Sequence, residues 1–354
     1  MTDAPEAHVT VAFGSRIDTV GWRDRHARGE VPDAWPYGLD KLARFCDRLD
    51  SVSLPEPSRT QLAASRVGRF ARRRAVASAA RRIGVAWDEH VARRMLTLAP
   101  RPEMYTGAIW FTDAFSRDRH DPVVASQTRV LRAMDGVYVN SRAQVAVLAD
   151  ALGPSGPPAH HFPFGIDADF FTPAAYPERP LVVSFGGDRD RDPGTLYEAL
   201  RMVHEAVPAV EIIVQSRSEA PTPPGVVKVP TMPHSELRAL YRRASVVMVA
   251  TRPNLHMSGL TVSLEAMATA RPVVLTATPG VDDYFVDGEN AMLARVGDAD
   301  DVARRALALL ADPDAAQAMG GRARQEVERR FTTTHLATAM AASFGLPTTT
   351  PVPG

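Results

Sequence analysis

Cysteine occurs once in this chain, at Cys46, and lysine only twice, at Lys41 and Lys228. A single thiol excludes a disulfide framework and any multi-cysteine zinc site, and it fits a reducing compartment. Net charge is missing too. Lys and Arg together number 41 and Asp and Glu together 41, which argues against a general nucleic-acid binder. No apolar run approaches the roughly 20 residues that span a bilayer. No short-period repeat and no low-complexity core interrupt the chain. Its first residues, MTDAPEAH, are polar and acidic and lack the form of a secretory signal. These absences predict a soluble, cytoplasmic protein.

What is present is organised around His256–Glu289, HMSGLTVSLEAMATARPVVLTATPGVDDYFVDGE. Ser258-Gly259 lets backbone approach another group closely. TVSLEAMATA follows as a helical pattern with apolar Val262, Leu264, Met267 and Ala268 and one carboxylate, Glu265. Arg271-Pro272 stops it, because proline cannot continue a helix. Val273–Ala277 then reads as a short apolar strand. Small-residue loop, helix and strand in this order present a helix N-terminus to an anion. The N–H groups of Ser258, Gly259, Leu260 and Thr261 are placed to cradle phosphate, and Glu265 to reach a ribose hydroxyl.

This stretch resembles the donor-binding segment of retaining glycosyltransferases with the GT-B fold, of the glycogen-synthase-like type (family 4-like, group 1). The resemblance rests on LEAMA at Leu264–Ala268, PVV at Pro272–Val274 and DGENAML at Asp287–Leu293, which occur in the family's order. Pro163, Gly165, Asp167, Phe171 and Pro173 match a second family segment, at the end of the acceptor domain. The resemblance covers Ala133–Phe344 well and is only architectural before that.

With 354 residues the chain has room for two ordinary domains. Strands alternate with helical patterns in two consecutive sets. That pattern implies an α/β protein of two Rossmann-like, doubly wound domains facing a cleft, which is also what the resemblance implies. The expected boundaries are an acceptor-binding domain over 1–171, completed by a C-terminal helix over 332–345. A proline-rich linker over 172–180, a nucleotide-sugar domain over 181–331 and a disordered tail over 346–354 make up the rest. In the first half, strands are expected at His8–Gly14, Ser51–Leu54, Gly84–Trp87, Gly107–Asp113 and Gly136–Ser141. Helices are expected at Leu39–Leu49, Ser58–Ile83 and Val91–Leu98. Residues 15–38 read as a long loop, either acceptor-binding or merely packed. Ser58–Ile83 is rich in arginine from Arg66 to Arg82. Its plain reading is a solvated face, since its apolar side is small. Its sharper reading is peripheral contact with an anionic membrane at the inner face, or with a phosphorylated acceptor.

Breaking a sugar–phosphate bond builds negative charge on the departing diphosphate, which arginines and helix-start amides offset. Arg191 stands where the relatives carry a diphosphate-binding lysine, and Arg189 lies close to their arginine. Arg252, after a strand end, is a third cation, with a surface ion pair as its ordinary reading. Glu265 is the strongest single candidate, because a carboxylate among apolar helix residues needs a partner.

Three departures from the family stand out. Met257 takes the place of a glutamate that touches the donor sugar, leaving His256 or Ser258 to substitute. Asp113 stands where relatives usually carry a histidine, either as a catalytic or acceptor-binding group or as a cap for the next helix. The glycine-rich loop is reduced to Gly14-Ser15-Arg16, with Arg16 near phosphate. Asp88, Glu89 and His90 are further acceptor-side candidates. No metal and no cofactor are expected beyond the nucleoside-diphosphate sugar. The acceptor is a small molecule, a glycan or a lipid-linked molecule, and nucleic acid is not a partner. A phosphorylase of the same fold would need a lysine for pyridoxal phosphate, and neither lysine fits. A nucleotide-sugar-binding protein that has lost catalysis is the alternative function.

Overall fold

The computed structural model describes residues 6–15, 17–58, 60–61, 80–98 and 100–348. It contains two compact units. The first takes in Met1–Asp24, Ala34–Phe162 and Leu336–Gly354, the second Arg25–Asp33 and Pro163–His335.

The first unit carries a six-stranded, all-parallel sheet. Its strands are β1 (Ala7–Gly14), β2 (Arg48–Leu54), β3 (Arg81–Ala86), β4 (Glu103–Gly107), β5 (Gly136–Val139) and β6 (Ala159–His161), in the order β2-β1-β3-β4-β5-β6. Val11, Val85 and Val137 are fully buried, as expected of parallel strands covered on both faces. Helices α1 (Thr19–Ala27), α2 (Glu89–Met95), α3 (Phe111–Arg117), α4 (Pro122–Leu131) and α5 (Arg142–Leu152) connect them. Met95, Phe111, Leu131 and Leu148 pack on Met104 and Val137 from these helices.

Four readings from the sequence change here. The strand expected over Gly107–Asp113 lies earlier, at Glu103–Gly107, and α3 begins at Phe111. The reason is distant in sequence. Glu89 accepts the N–H groups of Ile109 at 2.9 Å and Trp110 at 3.0 Å, donors that a continuing strand would have given to its neighbour. The helix expected over Leu39–Leu49 is a 3₁₀ segment, Pro36–Arg44, followed by β2, whose pairing with β1 from His8↔Arg48 overrides local propensity. Within the expected loop 15–38, α1 forms, and Asp18 Oδ1 accepts the N–H groups of Val20 and Gly21 at its start. Arg81–Ile83, expected as the end of a helix, open β3. The remainder of the basic stretch, 62–79, lies outside the described residues, as does Arg16. No helix among the described residues is long and apolar enough to cross a membrane.

The second unit repeats the theme with the Rossmann strand order. Its strands are β7 (Leu181–Ser184), β8 (Glu211–Gln215), β9 (Val226–Val229), β10 (Val246–Val249), β11 (Val273–Thr276) and β12 (Met292–Ala294). All are parallel, in the order β12-β11-β10-β7-β8-β9. Helices α6 (Pro193–Ala206), α7 (His234–Arg243), α8 (Leu260–Ala268), α9 (Ala299–Ala311) and α10 (Pro313–Arg330) follow in chain order, and α11 spans Thr333–Ser343. Leu200, Val203, Val302, Ala306 and Met319 close over Val182, Val246 and Val274. Each Leu, Val or Met side chain among them contributes about 1.5–3 kcal/mol when fully removed from water.

The main segment of the first unit ends at Phe162, whereas the boundary read from the sequence is residue 171. Side-chain hydrogen bonds tie the following residues to the second. Arg324 Nη1 donates to the carbonyls of Ala168, Phe171 and Ala268 at 2.7–2.9 Å. Arg271, 1% exposed, donates to those of Ala174, Ala175, Tyr241 and Arg242. The proline-rich stretch is thereby stitched to the C-terminal ends of α7 and α8, whose last carbonyls have no helical partner.

Candidate functional site

In an open parallel sheet, ligands bind beyond the carboxyl ends of the strands where the strand order reverses. In the second unit that point lies between β7 and β10. The two loops leaving these strands, 185–192 and 250–259, carry most of the donor-side residues singled out in the sequence. They are tied together by backbone bonds. Asp192 N–H donates to Ala250 O at 3.0 Å and Arg252 N–H to Asp190 O at 2.8 Å.

Arg191 is central. Its Nη2 donates to Phe185 O at 2.9 Å, and its Nε is buried without a partner. The guanidinium fits because glycine stands on two sides of it. A Cβ at Gly186 would collide with it, and one at Gly259 would stand 2.8 Å from Nη1. Both glycines have left-handed φ, +112° and +89°. Burial lowers the Arg191 pKa, opposed by the negative charges of Asp188 and Glu265. The cation therefore sits against the first turn of α8. There the N–H of Ser258 is taken by Asn254 Oδ1 at 2.8 Å and that of Leu260 by Met257 O at 2.9 Å. The N–H groups of Gly259 and Thr261 bond no acceptor among the described residues. Of the four amides expected to hold phosphate, these two keep an open donor.

Glu265 is 5% exposed. Its Oε2 accepts from Tyr241 Oη at 2.8 Å, and Oε1 has no donor among the described residues. Burial pushes the carboxyl up to about 7, against the Tyr241 hydrogen bond and the Arg191 charge, which pull it down. Tyr241, fully buried on α7, has no signal of its own in the sequence. Only the pairing of α7 beside α8 reveals it.

Asp188 was not singled out either, yet it organises the loop. Its Oδ1 accepts from Ser258 Oγ at 2.7 Å and from Asp190 N–H at 3.0 Å, with His256 Nε2 at 3.3 Å. Burial works to raise this carboxyl, but the hydrogen bonds from His256, Asp190 and Ser258 outweigh it and hold it well below the usual carboxylate range. Asp188, Asp190 and His256 bring three potential metal-ligand atoms within 4.8 Å of one another. Met257 turns its side chain inward. It is 3% exposed, its φ is +57°, and its Sδ takes the Thr278 hydroxyl at 3.6 Å. Arg189 lies at the loop surface beside Asp190, Nε to Oδ2 3.4 Å. Arg252 is exposed and forms no ion pair among the described residues.

In the first unit the order reverses between β1 and β3. Asp88 there is the N-cap of α2, accepting from His90 and Val91 N–H at 2.9 and 3.0 Å. Glu89 spends both oxygens on Ile109 and Trp110, and burial raises its pKa. Gln144 Nε2 grips the same turn through Ala108 O, Ile109 O and Thr112 Oγ1. His90 is exposed, its ring 5.7 Å from that of Trp110. Asp113 is 8% exposed, in the first turn of α3, immediately after the clamped turn.

A family model described as "Glycosyl transferase-like" matches residues 198–342. A trehalose synthase from Pyrococcus horikoshii is 28% identical over 176 residues, and the match spans 44% of this chain but only 41% of that relative. Among solved structures, sucrose-phosphate synthase from Thermosynechococcus elongatus superposes with a TM-score of 0.68 at 16% identity, covering 96% of this chain and 98% of that one. Anabaena HepE, solved in complex with UDP-glucose, gives 0.70 at 13% identity, covering 96% and 99%. The fold is therefore α/β, two parallel six-stranded sheets with their helices, the architecture of the GT-B glycosyltransferases.

Proposed function

We propose that this chain is a glycosyltransferase that moves a sugar from a nucleoside diphosphate sugar to an acceptor, with retention of anomeric configuration and without a metal ion. The observation that carries the proposal is Arg191. A half-buried cation whose Nε is buried and unpartnered lies against two open amides at the start of α8, at a strand-order reversal. Buried donors of this kind suit a diphosphate. A helix N-terminus adds roughly half a positive charge, and the arginine adds charge-assisted hydrogen bonds. As the sugar departs, charge grows on the phosphate, and these donors are already oriented toward it. Glu265, with Oε1 still open, is suited to a ribose hydroxyl. One neighbour in fold, HepE, was solved both with UDP-glucose and with UDP and glucose, which supports a nucleotide-sugar donor here. Asp113, Asp88 and His90 remain the acceptor-side candidates, toward a small-molecule, glycan or lipid-linked acceptor.

A thermal-shift screen over nucleoside diphosphates tests the donor. Ligand binding raises apparent stability by an amount set by affinity, so one base should give a clearly larger shift. The product's anomeric configuration, read by proton NMR, tests retention. An inverted product would remove that part of the proposal, and a flat response to every nucleotide would remove all of it.

A further inference from the structure

We infer that Tyr241 is a positioning residue of the donor site: its hydroxyl fixes the Glu265 carboxylate so that Oε1 is the oxygen offered to a nucleoside, and it acts through Glu265 rather than on the ligand. The inference rests on the donor reading of Glu265.

Tyr241 is the one buried residue of α7; the others are half-buried or exposed. Such a position ordinarily takes an apolar side chain, because a buried hydroxyl must find a partner. The space around the ring would suit one. Phe171 and Phe185 both meet it edge-on, with centroids 6.1 and 5.1 Å away and planes at 78° and 90°. The hydroxyl adds nothing to that packing. It crosses instead to α8, where Oη donates to Glu265 Oε2 at 2.8 Å. Replacing a buried polar pair by apolar groups of similar shape is often neutral or stabilising. The fold alone therefore gives no reason for a phenol and a carboxylate here. Their place beside an open cation points to a use in binding.

The same packing ties the pair to that cation. Phe185 sets its ring against Tyr241 and gives its carbonyl to Arg191 Nη2 at 2.9 Å. Arg271 Nε donates to the Tyr241 carbonyl at 3.2 Å and fixes the end of α7. Tyr241 is thus held by ring and backbone alike. The titratable groups that act on Glu265 are Tyr241 from α7 and Arg191 from the loop after β7. The strands packed on α8, β10 with VVMV and β11 with VVLT, carry none. From α10, Arg324 bonds the carbonyl of Ala268, at the last residue of α8. With Oε2 committed, Oε1 has no donor among the described residues and is left to receive a ligand hydroxyl. A carboxylate bonded at neither oxygen turns easily about its last side-chain bond and presents either one.

The test is calorimetric titration of the whole chain with UDP, GDP, ADP and inorganic pyrophosphate. For the nucleotide that the wild type binds most tightly, Tyr241→Phe should weaken affinity by about tenfold. Pyrophosphate, which has no ribose, should stay within roughly twofold. In a Glu265→Gln background the same substitution should cost less than about twofold for the nucleotide, because its effect passes through the carboxylate. A pH profile adds a readout that packing alone would not move. Burial lifts the Glu265 carboxyl to about 7, and the Tyr241 hydrogen bond pulls it down. A ligand hydroxyl is best received by the ionised form, so nucleotide affinity should fall on acidification. In Tyr241→Phe the midpoint of that fall should lie at a higher pH. Wild-type nucleotide affinity in Tyr241→Phe would overturn the inference. So would an equal loss for pyrophosphate, or an equal loss in the Glu265→Gln background. A wild type that binds none of the four probes would refute the donor proposal and the inference with it. That result is distinct from failure at Tyr241 alone, which shows only against a wild type that binds.

Discussion

Arg94, on the helix after β3 of the first unit, and Arg191, in the loop after β7 of the second, are each packed against a glycine at or just beyond the end of their sheet's first strand. A Cβ on Gly14 would stand 3.5 Å from Arg94 Nη1, and one on Gly186 would run into Arg191. Each arginine has a buried Nε without a partner. There the likeness stops. Arg94 donates to Leu54 O at 2.7 Å and pairs with Glu56 at 3.1 Å, so its charge is answered from within the protein. Arg191 bonds one carbonyl and makes no ion pair among the described residues, while open amides of α8 lie beside it. Two parallel sheets of different strand order thus carry one cation answered from within the protein and one that keeps unpaired donors beside the start of α8. The partner of each arginine, more than its position, tells which is which.

The sharpest way to break this contrast is to remove each arginine in turn. Arg191→Ala should abolish the nucleotide-induced thermal shift. Lost charge-assisted bonds to a diphosphate correspond to about 3 kcal/mol, roughly a hundredfold in affinity. Arg94→Ala should lower stability and leave the nucleotide shift intact. If Arg94→Ala removed the shift and Arg191→Ala did not, the assignment of the two roles would have to be exchanged.

Much of the second unit was legible in the sequence because its signals are local. The strands β7, β10 and β11 are short apolar runs, and α8 announces itself by Leu264–Ala268 with a stop at Pro272. The candidate site residues 256–261 and Glu265 lie within that one stretch. What stayed hidden depends on partners far away in sequence. Asp188 acquires its role from Ser258 and His256, and Tyr241 acquires its role from Glu265. In the first unit the same effect moved an element. The run GAIWF is apolar enough for a strand, but Glu89 takes the two amides that would have extended the ladder. Tyr37 was read only as one of several aromatics in a long loop. Its left-handed backbone, φ +64°, has no mark in the sequence beyond the glycine that follows it.

A second prediction contrasts the buried carboxylates by pH. Glu265 is raised in the folded chain to about 7, above its unfolded value near 4.5. The folded state therefore binds the proton more tightly than the unfolded state. The associated stability is complete below about pH 4.5 and is lost as pH rises through about 7, by up to roughly 3 kcal/mol. Asp188 behaves oppositely. Its folded pKa is depressed, so its contribution is present above its unfolded value near 3.8 and disappears only in stronger acid. Urea unfolding at pH 5 and pH 8 should show the wild type weaker at the higher pH, and Glu265→Gln should flatten most of that difference. An unchanged slope in the variant would mean that another group titrates there.

The smallest effect is expected at Glu89, and it separates positioning from ligand contact on the acceptor side. Glu89→Gln keeps one carbonyl oxygen for the turn but sets an amide N–H₂ against the second backbone donor. Because burial already disfavours the charged carboxylate, the exchange should cost only about 1 kcal/mol. The loss should be local. The amides of Ile109 and Trp110, which Glu89 holds, should exchange hydrogen faster, while the Gly259 and Thr261 amides in the other unit keep their rates. Such a pattern would make Glu89 a residue that acts through the turn leading to Asp113. A variant with unaltered exchange at 109 and 110 but weakened acceptor binding would return Glu89 to the groups that touch the ligand.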